Sequence, residues 1–323
     1  MPTPSQLDPS RTSGLRRRFE GDMAKRLREL LRLIRLSIVD NDCFGIQPIE
    51  VPLMRSLAAA RPREFAFERD TAAKVQAFLL WLKEQEEAGI LQVVLRPGTN
   101  TAINVGWTDV YIQSAYRLGI GRAQTELERA QFELPLQGSL PGRSMVVTAF
   151  NLPVHADRVG VLYTRTFEDL KTVMEVVNAD ARRKLIDGLT TNLTRGIAEG
   201  KSPLTMAREM VKDIASGLDK IGLNRARMIA RTEVIRAHHL ANINELRRAD
   251  AAMTVEVQAE FSTAGDDRVC PECEALQGKV FSLDEIESMI PVHPQCRCAA
   301  KPYIARNRIT DNVRPLHSHR RVA

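Results

Sequence analysis

The sequence predicts a mainly α protein of the α+β kind: helical amino-terminal and central regions, then a small strand-containing Cys/His metal-knuckle module near the carboxyl end. Three observations carry this. Leu, Ala, Arg and Glu dominate a chain in which aromatics are only 5%, and all four are good helix formers. Apolar residues recur at helical spacing along most of the chain. Four of the five cysteines fall between Cys270 and Cys298. With 323 residues, 44% of them apolar, the chain is long enough for two or three cores.

The elements follow in order. From Leu15 to Val39, the residues Leu27, Leu30, Leu31, Ile34 and Ile38 fall on one helix face, with Arg on the other. Pro48, Pro52 and Pro62 mark 41–67 as a connector. Asp70 or Thr71 is placed to cap a helix that buries Val75, Phe78, Leu79 and Leu82 and closes at Gly89. Ile90 to Leu95 reads as a short β run, ended by Pro97-Gly98. Trp107 to Gln131 is helical again. Gly119 and Gly121 weaken that helix, and small residues there let another backbone approach closely. Ala156 to Gly188 reads as one long helix or two. Ser202-Pro203 opens a helix that stops at Gly217, with Pro at the first helical position. Asn224 to Ala249 is strongly helical, Thr254 to Phe261 alternates like a strand, and 283–289 is a short helix.

These signals imply a disordered arm at 1–14, a helical amino-terminal domain at 15–132, a Pro/Gly-rich linker at 133–153, a second domain at 154–303 that holds the Cys/His module at 261–303, and a basic tail at 304–323. The net charge of +6 is spread over a mixed surface, except at the ends. There Arg16, Arg17 and Arg18, and Arg314, Arg320 and Arg321, are candidate nucleic-acid contacts. Basic ends suit a polyanion, and they equally suit solvated tails. No apolar run reaches the length of a membrane span, and the polar start lacks a signal-peptide pattern. A reducing cytoplasm is then the default, where paired cysteines bind metal more often than they form disulfides.

Cys270-x-x-Cys273 has the spacing that lets two thiolates face one ion from a turn. His293 and Cys296 repeat the three-residue step, and Cys298 is a fifth candidate. In an extended segment Cys296 and Cys298 point the same way, so either can be the fourth ligand, with His293 alternatively outside the shell. Disulfides or free thiols are the competing reading. Zinc is the metal that such a shell suits, in a structural role: three thiolates and one His leave no open position. The H-x-E partner of zinc deaminases and the H-E-x-x-H pair are both missing from the sequence. A closed zinc site can hold together a loop-rich unit too small to have much core.

The second notable stretch is Ala230-Arg231-Thr232-Glu233, followed by Arg236, His238 and His239. Glu233 and Arg236 are three apart and can pair on a helix. Together with Asp267-Arg268-Val269-Cys270-x-x-Cys273, Gly278 and His293-Pro294-x-Cys296-Arg297-Cys298, this stretch resembles the Mu F-like minor head (head morphogenesis) proteins of tailed phages, over roughly 160–303. One departure stands out: the family often has Trp before the acidic pair, where this chain has Phe261.

The resemblance implies a minor capsid protein at the portal vertex of the virion. Its implied partners are the portal protein, capsid or scaffold proteins and phage DNA, with no membrane and no catalysis, and its role lies in procapsid assembly, DNA packaging or DNA delivery. Two rivals remain on the residues alone. One is a zinc-ribbon nucleic-acid binder, although only Phe281 and Tyr303 lie near the cluster for base stacking. The other is an enzyme, nuclease or transferase, fused to a head-protein module and using Glu233, His238 or His239.

Overall fold

The structure is a computed structural model that describes residues 8–46, 71–94, 105–133, 153–192, 198–252 and 256–304. Most of the connector, the linker and the basic tail with Arg314, Arg320 and Arg321 lie outside the described residues, as do residues 1–7 of the arm.

The described elements are α1 (Ser13–Arg35), α2 (Thr71–Gly89), β1 (Val93–Val94), β2 (Val105–Gly106), α3 (Asp109–Glu133), α4 (Pro153–Asp187), α5 (Pro203–Gly217), α6 (Asn224–Ala252), β3 (Val257–Ser262), α7 (Pro271–Leu276), β4 (Val280–Phe281), α8 (Leu283–Met289) and β5 (Ala299–Ile304). Five-residue π turns extend α1 and α4, and a six-residue one joins α5 to α6. The stretch 156–188 is one helix. The β run expected from Ile90 shrinks to Val93–Val94 in the described residues. Ile90 itself still follows the helical path of α2, its amide bonded to the Glu86 carbonyl at 2.7 Å. The expected arm is folded from Asp8 onward. Asp8 accepts from the Ser13 amide at 2.7 Å and pairs with Arg16, which seats the start of α1.

By contacts the chain divides into two units, Met1–Arg17 with Asp109–Leu162 and Arg231–Ala323, and Arg18–Thr108 with Tyr163–Ala230. This differs from two consecutive domains at 15–132 and 154–303. Proline-rich stretches mark where the chain turns, whereas a unit is defined by which residues pack together, and here each draws on separated stretches.

In the second of these units, Trp107 is a central plug. Its Nε1 donates to the Ile90 carbonyl at 2.8 Å, Phe19 meets it edge-on at 5.6 Å, and the Arg26 guanidinium lies 4.3 Å from its ring centre. Arg26 also donates to the carbonyl of Gly89, the last residue of α2, where a helix leaves carbonyls unpaired and favours a cation. On the preceding turn, Glu86 is 1% exposed, and only its Oε2 has a partner, the Asn178 amide at 2.8 Å. Burial pushes its carboxyl up to about 7.

A raised carboxyl binds its proton more tightly folded than unfolded. The stability it contributes is therefore full below pH ~4.3, the unfolded value, and is lost as pH rises through the folded value near 7. Glu86→Gln should flatten this slope and raise the melting temperature at pH 8. Equal melting curves for the two proteins across pH 4.5–8 would sink this assignment.

The other unit holds the Cys/His module. β3 is the central strand of an antiparallel sheet ordered β4-β3-β5, with Phe261 opposite Ala300 and Ala259 opposite both Phe281 and Pro302. Pro302 is tolerated because β5 is an edge strand. The sheet packs on Ala123 and Leu127 of α3 and on Ile235, Ile243 and Leu246 of α6. Phe261 is fully buried in this cluster. The module thus has little core of its own, as its sequence implies, and shares one with α3 and α6. Leu283, Ile286 and Ile290 join the same core, because α3 and α6 supply the apolar surface that the module's short elements lack.

Candidate metal centre

The first half of the site is the start of α7. Cys270 caps it in extended conformation, Pro271 takes the first helical position, and the Cys273 amide donates to the Cys270 sulfur at 3.3 Å. That bond holds the Cys270 thiol below its ordinary value. It also turns the Cys273 sulfur toward the same side, and there burial pushes its thiol up to about 12.

The second half is a turn. The Cys296 amide bonds to the His293 carbonyl at 3.1 Å, and Gln295 has φ of 65°. Pro at the second position and positive φ at the third define a type II turn. His293 Nδ1 lies 2.8 Å from the Pro294 carbonyl. A carbonyl only accepts, so Nδ1 carries a proton, and this bond foremost raises the His293 pKa; once Nε2 loses its proton, its lone pair faces the thiols. That neutral form is the tautomer of a metal-bound imidazole. Nε2 lies 3.1 Å from the Cys270 sulfur and 3.3 Å from that of Cys273.

Beyond the turn, Cys296 and Cys298 are both buried, at 1% and 4% exposure, while Arg297 between them is half-buried and donates to Asp266. The alternation expected of an extended segment is present. Cys298 lies above its ordinary value, first through its hydrogen bond to Cys296 and then through burial, and Cys296 is drawn down by the same bond.

Two triads of donors result, Cys270, Cys273 and His293, and Cys273, Cys296 and Cys298. Within each, the ligand atoms lie within 4.8 Å of one another. All five expected residues gather in one place, with Cys273 common to both triads. Their chemistry fits zinc: sulfur and imidazole donors, mostly buried, with a proton pattern that a divalent cation displaces. The fifth cysteine, Cys43, belongs to the other unit.

Two clamps hold the halves in place. Arg297 forks onto both oxygens of Asp266, at 2.6 and 2.7 Å, and Asp266 also takes Arg268 at 2.9 Å. Arg297 foremost among these holds the Asp266 carboxyl well below the usual carboxylate range. The loop before Cys270 is thereby tied to the strand after Cys296. The other clamp is on α6. Thr232 Oγ1 accepts from the Gln295 amide at 3.2 Å, and Arg231 donates to the Gln295 side chain at 2.8 Å. Arg231 and Thr232 thus steady the one left-handed residue in the turn. Sequence reasoning placed both motifs on the page but missed this contact, since nothing in the spacing pairs residue 232 with 295.

Of the groups that a catalytic reading would need, Glu233 and His239 have structural partners. Glu233 is 2% exposed and pairs with Arg236 at 3.1 Å, as its three-residue spacing implies. His239 Nε2 donates to the Ile286 carbonyl at 2.8 Å, which docks α8 onto α6. Burial pushes His238 down to about 3 and His239 down to about 4, which favours the neutral ring in both. Of the candidate nucleic-acid contacts, Arg17 and Arg18 are exposed on α1, while Arg16 is buried in its ion pair with Asp8. Burial in that pair takes Arg16 out of the set able to reach a phosphate backbone.

Residues 187–301 match a family described as Phage Mu protein F like protein. The match spans α5, α6 and all five Cys/His donors of the module. No curated protein and no solved structure matches the chain.

Proposed function

We infer from the Phage Mu protein F like character of residues 187–301 that the chain is a minor capsid protein of a tailed phage, acting in head morphogenesis as a structural and interaction protein without catalysis. The single observation that carries this is the coincidence of the family match with one built structure, α6 clamped through Arg231 and Thr232 to the turn that bears His293 and Cys296. On this reading the protein resides in the virion, at the portal vertex. It contacts the portal protein and capsid or scaffold proteins during procapsid assembly in the host cytoplasm, with phage DNA as a further partner in packaging or delivery. Among the described residues no helix is long and apolar enough to cross a membrane.

The Cys/His module is a zinc-stapled unit on this reading, and its donors serve the fold. Full-length protein purified without chelator should carry about one zinc per chain by elemental analysis. Cys273→Ser should lose it, because Cys273 belongs to both donor triads. The α6 and α3 helices should keep most of their circular dichroism, since the core they share also packs Ala123, Leu127, Ile235 and Ile243 together with Cys273, Cys296 and Cys298. Purified protein without stoichiometric metal would end the zinc assignment. The head role is tested separately. The chain should appear in purified procapsids and co-purify with the portal protein, and its absence from both particles and portal complexes would overturn it.

A further inference from the structure

Five donors converge where a tetrahedral ion takes four, and the structure separates them. Resting on the zinc reading above, we propose that Cys270, Cys273, His293 and Cys298 are the four ligands, and that Cys296 is a buried thiol beside the ion. The first support is a hollow of about 30 Å³ lined by Cys270, Cys273, His293 and Cys298 together with Arg268 and Arg297. A hollow able to hold one water needs about 10–15 Å³ on this measure, so the space suits a single ion and excludes an organic ligand. Cys296 does not line it. At 1% exposure it lies deeper, in the core cluster with Phe261 and Ile290.

Geometry gives the second support. The turn at His293-Pro294-Gln295 brings the His293 Nε2 onto Cys270 and Cys273. Gln295 is fastened to α6 by Arg231 and Thr232, which holds the Cys296 end of that turn against the helix side. The chain then passes through the Asp266-bound Arg297. The Cys296 and Cys298 sulfurs both lie within 4.8 Å of that of Cys273, and of the two only Cys298 also lines the hollow.

The third support is charge. Three thiolates and a neutral imidazole leave a divalent ion with one net negative charge. Arg268 and Arg297, less the Asp266 carboxylate they share, leave one positive charge beside it. A fourth thiolate would add a buried negative charge with no cation to meet it, and buried unpaired charge is strongly unfavourable.

The experiment is cobalt(II) loading of the full chain, with wild type, Cys296→Ser and Cys298→Ser compared by metal content and by the sulfur-to-cobalt charge-transfer absorption. The wild type is expected to bind one equivalent. C296S should keep that equivalent with an unchanged charge-transfer band. C298S should lose the metal, or keep it with a weaker band and at least tenfold faster loss to a chelator. A weakened band in C296S, whether or not C298S is affected, overturns the assignment. So does an unchanged C298S. If C298S fails to fold, as its circular dichroism would reveal, the C296S spectrum alone decides. A wild type that takes up no cobalt and no zinc overturns the metal reading itself, which keeps that failure distinct from a wrong choice of ligands.

Discussion

Gly119→Ala is expected to destabilise the unit built on α3 and α6 by about 3 kcal/mol, the upper part of the range for forcing an extra methyl into a packed interface. Helix propensity alone predicts the opposite sign, a gain of roughly 1 kcal/mol for Ala over Gly inside a helix. Packing wins because of where α6 runs. A methyl at residue 119 would lie 2.2 Å from the His238 carbonyl oxygen and 2.7 Å from the Ala241 Cβ. Both belong to a helix whose backbone is held by its own ladder and by the buried residues beneath it, so neither can retreat cheaply. Gly160 provides the contrast: a methyl there meets nothing within 4 Å, and Gly160→Ala should stabilise as propensity says. Denaturant midpoints for the two variants read out the difference. A G119A midpoint at or above wild type would show that the two helices are not in this close contact.

The second large effect is expected at Glu245. In sequence it is one more acid on a long helix, and in the structure it closes a buried chain of hydrogen bonds. Asn244 donates to the Tyr116 hydroxyl at 2.9 Å, and that hydroxyl meets His155 Nδ1 at 2.9 Å. His155 Nε2 reaches Glu245 Oε1 at 3.0 Å, and Arg248 and Gln124 donate to the same carboxylate at 2.7 and 3.1 Å. Tyr116 and His155 are fully buried, and Glu245 is 1% exposed. Each donor points into Glu245, so deleting the carboxylate leaves Arg248 and His155 without their acceptor. Breaking a buried pair from one side costs about 3–5 kcal/mol, and Glu245→Ala should fall in that range.

Glu245→Gln, which retains an acceptor oxygen, should lose less. The pH signature is the reverse of that at Glu86. Burial opposes the charge of Glu245, but the bonds from His155, Arg248 and Gln124 outweigh it and hold the carboxyl below its usual value. Its contribution is thus present above about pH 4.3, the unfolded value, and is lost as pH falls through the folded one. Hydrogen exchange of the α6 amides at pH 7 and pH 4 measures both claims, and an E245A protein as protected as wild type at pH 7 would refute them.

Much of the fold was legible because helices report themselves locally. The repeat of Leu27, Leu30 and Ile34, the Ser202-Pro203 start and the Gly217 stop each concern residues within a few turns of one another, and each element lies where its pattern puts it. The short helix at 283–289 is legible for the same reason, since Ser282 and Glu285 form a reciprocal cap. Strands were read less well. The pairing that makes Val257–Ser262 a strand comes from residues 280–281 and 299–304, and alternation in one segment carries no information about its partners.

The candidate site shows the same division. That Cys270, Cys273, His293, Cys296 and Cys298 belong together was plain in their spacing, because a metal shell needs these donor types at short intervals. Gly119 was likewise visible as a place of close approach, since glycine in a helix interior is otherwise a loss. Arg16 was not legible. A row of arginines looks alike in sequence, and only the folding back of Asp8 onto Ser13 turns one of them into a buried ion-pair partner.

Sequence alone thus showed a chain helical in bulk, with a Cys/His cluster of metal-ligating residue types and, over residues 187–301, a likeness to the Phage Mu protein F like family. Tertiary structure decided which residues support that cluster. Thr232 against Gln295, Arg297 against Asp266, and His238 against Gly119 are 63, 31 and 119 residues apart. Donor chemistry and helical period are properties of neighbouring residues and survive in a string of letters. Contacts between distant segments depend on how whole helices and strands are packed, and they exist only after the chain has folded.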